Sequence, residues 1–413
     1  MTTSSLPLNT DLVRSLFPAF DQQEIAQSAF FENAGGSYIS APVVALLQNY
    51  QRKTKVQPYG AFATSVVAGQ AMDNSYQRIA KALDLDDSWI HFGPSTSANS
   101  YVLAHAFSQI IKAGEAIIVT NQDHEANSGV WRKLVKNGVE VREWHIDKET
   151  GELDPKKLAN LLDDKVRFVA FPHVSNIVGQ INPAKQICQI IHDANALAIV
   201  DGVSYCPHGL PDLGDMNPDI YLFSAYKTFG PHVGVMAVRP DLAASLPNQG
   251  HHFNDHKPRY RLTPAGPDHA QIAAMAAIAN YLEQISVMAK GSDSQNITTP
   301  FQRAHDAIRA QETALMTPFL DWIKTRNDLR LIGPDNANNR VPTFSFALDV
   351  SGFEMAKKLE KHGILAGGGH FYAQRVLQGL GLDAEHGVLR ISFVHYTSEN
   401  DISRLLGALD AEL

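Results

Sequence analysis

Lys227 is the residue of this sequence best suited to covalent chemistry. It lies between two short apolar runs, residues 220–223 and 235–238, which predict two buried strands. Lysine is rarely buried, and an amine held in an apolar site has a lowered pKa and is nucleophilic. Such a lysine can form a Schiff base with an aldehyde. The alternative is a loop lysine whose ammonium group reaches water.

Two further polar residues follow predicted strands. Asp201 comes directly after the apolar run 197–200, and its carboxylate could pair with the nitrogen of a pyridine ring. His124 follows the strand predicted over residues 116–120 and could lie against such a ring or move protons. The alternatives are a helix cap for Asp201 and a surface histidine for His124.

A phosphate site is predicted at residues 93–99, between a short strand and a helix. Free N–H groups and the helix dipole favour an anion at a helix N-terminus, and the hydroxyls of Ser95 and Thr96 would add donors. Ser224, three residues before Lys227, could add another. The alternative is an ordinary N-cap. Together these groups match a cofactor that carries an aldehyde, a pyridine nitrogen and a phosphate.

The elements that must position these residues alternate between apolar strands and helices up to residue 239. This alternation predicts an α/β fold with a mainly parallel sheet covered on both faces. Ligands bind at the carboxyl ends of the strands in such sheets. The residues expected at those ends are Ser95, Thr96, His124, Asn176, Asp201 and Lys227.

The sequence divides into three parts. Residues 1–30 are predicted as an N-terminal segment that packs on a small domain, and residues 31–290 as a large domain that ends in one long helix, 270–288. A hinge is expected at residues 291–299. Residues 291–413 are predicted as a smaller α+β domain with an antiparallel sheet, which includes a helix at 301–315.

The composition and net charge of the chain disfavour some classes of binding partner. The chain has 413 residues, a net charge of −8 and no basic run, so nucleic acid and anionic membranes are poor partners. Two cysteines, Cys188 and Cys206, suit a reducing compartment rather than a disulfide scaffold. The N-terminus has no signal-peptide pattern. We therefore expect a soluble cytoplasmic protein.

Motifs for other cofactors are missing. No GxGxxG follows a predicted strand, which makes a nicotinamide enzyme a distant alternative, and P-loop, HExxH and GxSxG patterns do not occur. No metal is expected, because the remaining candidate histidines fit solvated loops better than a metal site. These histidines are His251, His252, His256, His269 and His370.

Six motifs in this order resemble a known family. The chain, from about residue 31 to its C-terminus, is similar to fold-type I pyridoxal phosphate (PLP) enzymes of the class V aminotransferase family, in particular to the cysteine desulfurase-like branch. The motifs are Asn33-Ala-Gly-Gly, Asp123-His124-Glu-Ala-Asn, Ser175-Asn176-Ile-Val-Gly, Asp201-Gly, Ser224-Ala-Tyr-Lys227 with Gly230-Pro, and Leu389-Arg390-Ile-Ser.

The resemblance implies PLP as cofactor, a homodimer and a role for each matching residue. Lys227 would form the Schiff base, Asp201 would pair with the ring nitrogen, and His124 would stack on the ring. Arg390 would clamp the substrate's α-carboxylate. Asn176 would lie near the cofactor's phenolic oxygen and the same carboxylate. The remaining implied contacts are Ser95, Thr96, Ser204, Ser224 and Tyr226 for the cofactor, and Asn33 and Tyr372 for the substrate.

The sequence departs from the branch at several positions. Desulfurases carry a loop cysteine that accepts sulfur as a persulfide, and Tyr372 stands at that position here, so persulfide formation is not expected. Ser204 replaces a usual glutamine, and Tyr226 replaces a usual histidine. An element that usually reaches the neighbouring subunit's phosphate is altered around residues 266–267. These changes suggest a changed substrate or reaction.

The expected reaction starts from an amino acid and passes through an external aldimine and a quinonoid, with Lys227 as the base that removes the α-proton. β-Elimination of the C–S lyase type is the leading expectation, and transfer of the amino group to a keto acid is the alternative. A catalytically weak, regulatory PLP-binding protein is a further alternative, which intact Lys227, Asp201 and Arg390 disfavour.

Overall fold

The structure is a computed structural model that describes residues 6–289 and 299–413. The first five residues of the predicted N-terminal segment, and residues 291–298 of the predicted hinge, lie outside the described residues. Thr299 is described, and its side chain caps the helix that follows. Within the two described ranges, no helix combines the length and the apolar character needed to cross a membrane.

The strands are short and mostly buried. Their bounds are β1 (Ala29–Phe30), β2 (Ile90–Gly93), β3 (Ala116–Thr120), β4 (Glu140–Trp144), β5 (Val166–Pro172), β6 (Leu197–Asp201), β7 (Ile220–Ser224), β8 (Gly234–Val238), β9 (Arg330–Ile332), β10 (Thr343–Ala347), β11 (Ile364–Leu365), β12 (Gly367–Gly369) and β13 (Val388–Ser392).

The helices surround these strands and vary widely in length. Their bounds are α1 (Thr10–Arg14), α2 (Gln23–Gln27), α3 (Ala41–Lys53), α4 (Ala63–Ala82), α5 (Thr96–Ser108), α6 (Glu125–Arg132), α7 (Pro155–Ala159), α8 (Ala184–Asp193), α9 (Leu213–Met216), α10 (Pro240–Ser245), α11 (His269–Ala274), α12 (Ala276–Met288), α13 (Pro300–Lys324), α14 (Gly352–Glu360), α15 (Gln374–Gly379) and α16 (Glu399–Glu412).

The larger sheet has the strand order β2-β8-β7-β6-β5-β3-β4. Strands β7, β6, β5, β3 and β4 run parallel, whereas β8 is antiparallel to both of its neighbours. Both faces are buried: Ala116 and Ile118 of β3 pack into one core, and Ile117 and Val119 into another. The predicted mainly parallel sheet covered by helices is confirmed.

A smaller antiparallel sheet, β12-β13-β10-β9, lies in the C-terminal part of the chain. Its core is formed by aromatic and aliphatic residues of the sheet and of the helices α13 and α16, such as Phe319, Phe344, Phe346 and Leu405. This is the smaller α+β unit that the sequence predicts. Strand β13 carries Arg390.

The N-terminal segment contacts both units. β1 pairs in parallel with β11, and Arg14 forms an ion pair with Asp401 of the smaller unit. However, the ring of Phe17 packs on Phe229 and Tyr281, which belong to the larger unit.

The residue expected to begin the large domain, Phe31, lies in the core of the smaller unit. Its backbone N–H donates to the carbonyl of Leu365, and its carbonyl accepts from Ser392. These main-chain bonds tie residues 29–33 to the C-terminal sheet.

Two helices differ from their predicted bounds. The helix predicted over residues 270–288 is divided into α11 and α12, because the hydroxyl of Ser75 enters the hydrogen-bond ladder. Its Oγ accepts from the N–H of Ala276 at 3.0 Å and donates to the carbonyl of Ala273 at 2.9 Å. The helix predicted over 301–315 continues through Pro318 as α13.

Candidate active site

Lys227 lies just beyond the carboxyl end of β7, and only 8 % of its surface is exposed. The turn that holds it is closed by the N–H groups of Thr228 and Gly230, which both donate to the carbonyl of Ala225. The pKa of Lys227 is lowered to about 8, first by burial and then by the charge of Arg390, against the opposing effect of Asp201. A substantial fraction of this amine is therefore neutral near pH 8.

Asp201 is the last residue of β6, and its Oδ1 accepts from the N–H of Val203 at 2.8 Å. Burial raises the pKa of Asp201 to about 6. Burial and the charge of Asp201 raise the pKa of the neighbouring Asp123 well above its usual range. Asp123 has no predicted role of its own, although it lies in the motif that contains His124. The proton of this acidic pair therefore resides on Asp123, and the negative charge on Asp201.

His124 is the N-cap of α6, and its Nδ1 accepts from the N–H of Ala126 at 3.0 Å. This bond places the hydrogen of the neutral ring on Nε2. The pKa of His124 is lowered to about 4 by burial and by the charges of Lys227 and Arg390. His124 is thus an uncharged ring at neutral pH.

At the N-terminus of α5, the cavity is lined by Ser97 and not by the predicted Ser95. Ser95 is the N-cap, and its Oγ accepts from the N–H of Ala98 at 3.1 Å, so this side chain is directed at its own helix. The hydroxyl of Thr96 is hydrogen-bonded to that of Ser224 at 2.7 Å. Thr96 and Ser97 face the cavity described next. Sequence reasoning could not tell the capping serine from Ser97, which it missed.

Most of the predicted cofactor residues line a single cavity around Lys227. A second, larger cavity of about 960 Å³ lies beside α8 and α13, and none of the predicted site residues line it. Among the described residues, no group of three or more His, Cys, Asp or Glu side chains is arranged to hold a metal ion. The predicted residues in the smaller cavity are Thr96, His124, Asn176, Asp201, Ser204, Ser224, Tyr226 and Lys227, and the additional polar ones are Ser97 and Asp123.

Asn33 lies beside this cavity, and its side chain is hydrogen-bonded within the protein. It lines a small adjoining space together with Ser204 and Lys227. Its Nδ2 donates to the carbonyl of Ser392 at 3.2 Å, and its Oδ1 accepts from the hydroxyl of Tyr396. Both polar atoms of Asn33 are thus engaged inside the protein.

Tyr226 has a fixed orientation at the cavity. Its ring lies against that of His232, with centroids 4.8 Å apart and an interplanar angle of 5°. Burial raises the pKa of the Tyr226 hydroxyl, which therefore stays protonated at neutral pH. His232 was not singled out from the sequence.

Arg390 is almost fully buried at 2 % exposure, and its guanidinium is surrounded on three sides. Nη1 donates to the carbonyl of Asn176 at 3.2 Å, and Nη2 donates to Oε1 of Glu32 at 2.6 Å. The ring of Phe371 lies 3.7 Å from the guanidinium carbon. Sequence reasoning missed Glu32 and Phe371, although each is adjacent to a predicted residue, Asn33 and Tyr372.

The loop that carries Tyr372 covers the site on the side of Arg390 and Asn176. Phe371 and Tyr372 have φ angles of 48° and 58°, in the left-handed region. The carbonyl of Phe371 accepts from Nδ2 of Asn176 at 2.9 Å, and that of Tyr372 accepts from the N–H of Glu125 at 2.8 Å. Tyr372 is 72 % exposed, and its ring centroid lies 5.6 Å from that of His124.

The two cysteines lie away from this loop. Both Cys188 and Cys206 are buried, and neither is among the residues around Lys227. Burial raises the pKa of Cys188 to about 12 and also raises the pKa of Cys206. Both thiols therefore stay protonated at neutral pH, which disfavours either as a nucleophile.

The chain is similar over nearly its whole length to known proteins. The family model for Aminotransferase class-V matches residues 29–405. Aminotransferase-like protein FGM3 of Gibberella zeae is 31% identical, over 99% of this chain and 100% of that protein. Nonribosomal peptide synthetase-like enzyme fsqF of Aspergillus fumigatus is 28% identical over 97% of this chain, which spans only 26% of that longer protein.

The fold is also similar to that of a solved structure. The apo structure of a cysteine desulfurase from Thermococcus onnurineus NA1 matches with a TM-score of 0.85 and 23% identity, over 100% of this chain and 99% of that chain. This likeness confirms the predicted fold-type I architecture.

Proposed function

The chain belongs to the class V aminotransferase family of PLP-dependent enzymes, and we propose that it catalyses β-elimination of the C–S lyase type on an amino-acid substrate. The observation that carries this proposal is the pairing of a buried Lys227 with a loop in which Tyr372 stands where desulfurases have their cysteine. Without a thiol to accept sulfur, a leaving group freed from the β-carbon departs into solvent.

The donor set in the cavity fits PLP. Lys227 offers an amine to the aldehyde, Asp201 a carboxylate to the ring nitrogen, and His124 an uncharged ring. Thr96, the first residue of the 13-residue helix α5, and Ser224, the last residue of β7, would hold the phosphate. Asn176 fits the phenolic oxygen, because it lines the cavity and one hydrogen of its Nδ2 donates to Phe371, which leaves the second to donate to the cofactor. Ser204 and Tyr226, which line the same cavity, complete the proposed cofactor site, whereas the side chain of Ser95 caps α5.

When bound, PLP supplies an electron sink for the charge that develops on the substrate's α-carbon. Lys227 would remove the α-proton, since burial brings the pKa of its amine to about 8. The charge of Asp201 would stabilise a proton on the ring nitrogen. Asp123, which retains its own proton, would add no second negative charge.

The substrate is proposed to enter beneath the loop of Phe371 and Tyr372. Arg390 would bind its carboxyl group. Asn176 lines the cavity around Lys227, and Asn33 lines the small space that adjoins it. Tyr372 is proposed to close the pocket, because its ring lies near that of His124 while most of its surface faces solvent.

The test is the fate of the cofactor after purified holoenzyme is mixed with cysteine, cystine, alanine and serine in the absence of a keto acid. For cysteine, cystine and serine, which carry a leaving group on the β-carbon, β-elimination predicts pyruvate and ammonia well beyond the enzyme concentration, with the cofactor's absorption spectrum restored at the end. Alanine has no such leaving group and should yield no pyruvate by this route. One equivalent of keto acid, with conversion of the cofactor to its pyridoxamine form, would instead establish transamination.

We also propose that the protein is a cytoplasmic homodimer. An exposed apolar cluster at the start of α4, formed by Tyr59, Phe62, Val66 and Val67, supports an interface there. Light scattering during size-exclusion chromatography tests this proposal, and a mass corresponding to one chain would contradict it.

A further inference from the structure

The carboxylate of Glu32 lies beside Arg390, in a space that exists because Gly35 and Gly367 have no side chains. A Cβ atom added at Gly35 would lie 2.8 Å from Oε1 of Glu32, and one added at Gly367 would lie 2.7 Å from Oε2. Any side chain at either glycine would therefore press on this carboxylate. Its position next to Arg390 thus depends on the absence of side chains at Gly35 and Gly367.

The guanidinium of Arg390 is already neutralised in this arrangement. Glu32 is the acidic residue within ion-pair distance of Arg390, at 2.6 Å, in the described part of the chain. The other contacts of Arg390, the carbonyl of Asn176 and the ring of Phe371, carry no formal charge. A free α-carboxylate arriving here would place a second negative charge on one guanidinium, which is unfavourable in a buried site.

An uncharged carboxyl derivative fits the remaining groups better. Nε of Arg390 is buried without a partner among the described residues, and so is Oε2 of Glu32. The first is a donor and the second an acceptor. A primary amide offers the complement, because its carbonyl accepts and its nitrogen donates. An ester or thioester carbonyl can use the donor alone, and a carboxylate cannot use the acceptor at all.

We propose that Glu32 is a specificity-determining residue that makes the site select amino acids whose carboxyl group is uncharged, as an amide, ester or thioester, over free amino acids. This inference rests on the proposed function, in which Arg390 binds the carboxyl end of the substrate. The inference concerns which class of substrate binds, and the proposed reaction at the α-carbon is unchanged.

The first test uses wild-type holoenzyme and matched ligand pairs. Dissociation constants of L-alanine and L-alaninamide, and of L-serine and L-serinamide, are measured by isothermal titration calorimetry. Each amide is expected to bind at least about tenfold more tightly than its acid. Tighter binding of the free acids would overturn the inference. This comparison needs no variant, and the alanine pair has no β-leaving group, so its binding is measured without elimination.

The second test removes the charge of Glu32 and keeps its shape. Glu32→Gln should tighten binding of the free acids at least about tenfold and bring the ratio of the two constants towards one. Comparing the ratio between proteins also cancels the different basicity of the two ligand amines. The matched control is Glu125→Gln, which alters another ion pair near the same loop, Glu125 with Arg375 at 3.2 Å. This control should leave the ratio unchanged.

The outcomes separate this inference from the proposed function. If free acids bind better than amides and Glu32→Gln does not alter the ratio, Glu32 has no role in selection, while elimination can still be observed with free amino acids. If neither member of any pair binds, and neither cysteine nor serine yields pyruvate and neither of their amides yields pyruvamide, the proposed function itself fails, and the inference fails with it.

Discussion

Nη2 of Arg390 donates a hydrogen bond of 2.6 Å to Oε1 of Glu32, although 358 positions separate the two residues. Main-chain bonds beside this pair hold the two segments in register: Ser392 donates to the carbonyl of Phe31, and Asn33 donates to the carbonyl of Ser392. The proposed carboxyl site is therefore built jointly by β13 and by the stretch that follows β1. A change in either segment should affect substrate binding.

Asp201→Asn should lower kcat on the order of a hundredfold or more, because it removes the buried charge proposed to act on the ring nitrogen. The asparagine oxygen can still accept the hydrogen bond from Val203, so the fold should persist. Asp123→Asn is the matched control, since burial already keeps Asp123 protonated. Its kcat should remain within about tenfold of wild type. Equal losses in the two variants would contradict the assignment.

His124 combines two roles that two substitutions separate. His124→Asn keeps an N-cap acceptor for α6 but removes the ring, so we expect an unchanged melting temperature and a loss of activity of about a hundredfold. His124→Phe keeps a ring but loses the cap, which should cost about 1 kcal/mol of unfolding free energy while retaining more cofactor affinity than His124→Asn. Full activity in the asparagine variant would exclude a role for the ring.

Acid should destabilise the fold through buried histidines. The pKa values of His173 and His395 are lowered from 6.5 to about 3 by burial, so below pH 6.5 the unfolded chain binds more protons than the folded one. Their stabilising effect is complete above pH 6.5 and is lost as the pH falls towards 3. His395→Gln should make the urea-unfolding free energy fall less steeply between pH 6.5 and 4.

Comparing wild type with His395→Gln isolates the contribution of His395 to the pH dependence of the unfolding free energy. The raised pKa values of Asp123 and Asp201 change stability in the opposite direction over part of this range, and they are common to both proteins. Identical pH slopes for wild type and His395→Gln would show that His395 is not buried as a neutral ring.

Gly234 allows β8 to approach the N-terminus of α5. A Cβ atom at this position would clash with the carbonyl carbon of Ser95 and the backbone nitrogen of Thr96. Gly234→Ala should therefore destabilise the fold by about 1–3 kcal/mol and weaken retention of PLP during dialysis.

Gly407→Ala, in α16, is the control for Gly234→Ala. A Cβ atom there meets no other atom within 4 Å, so this variant should be stabilised by about 0.5–1 kcal/mol. Equal cofactor retention in the two alanine variants would disprove the proposed link between Gly234 and the phosphate site.

The sequence predicted the larger sheet well, because strands buried on both faces appear as continuous apolar runs. The bounds of β3, Ala116–Thr120, match the predicted strand at both ends. The clustering of Asp201, His124 and Lys227 followed from the same argument, since the carboxyl ends of parallel strands meet at one edge.

Features that depend on tertiary contacts could not be predicted. The division between α11 and α12 requires the hydroxyl of Ser75, about 200 positions earlier in the chain. β9 is only three residues long and carries no clear alternation. The ion pair of Arg390 with Glu32 depends on the packing of two distant segments, and the choice of Ser95 as cap rather than ligand depends on a side-chain rotamer. The domain boundaries stay predictions.

The most direct test of the central claim is borohydride reduction of the holoenzyme, followed by proteolysis and mass spectrometry. Lys227 is proposed as the single covalent attachment point of PLP, since it is the lysine that lines the cavity with Asp201 and His124. The account predicts a phosphopyridoxyl group on the peptide that contains Lys227, and its loss in Lys227→Ala. Attachment to a different lysine, or no attachment in a protein that retains PLP, would contradict it.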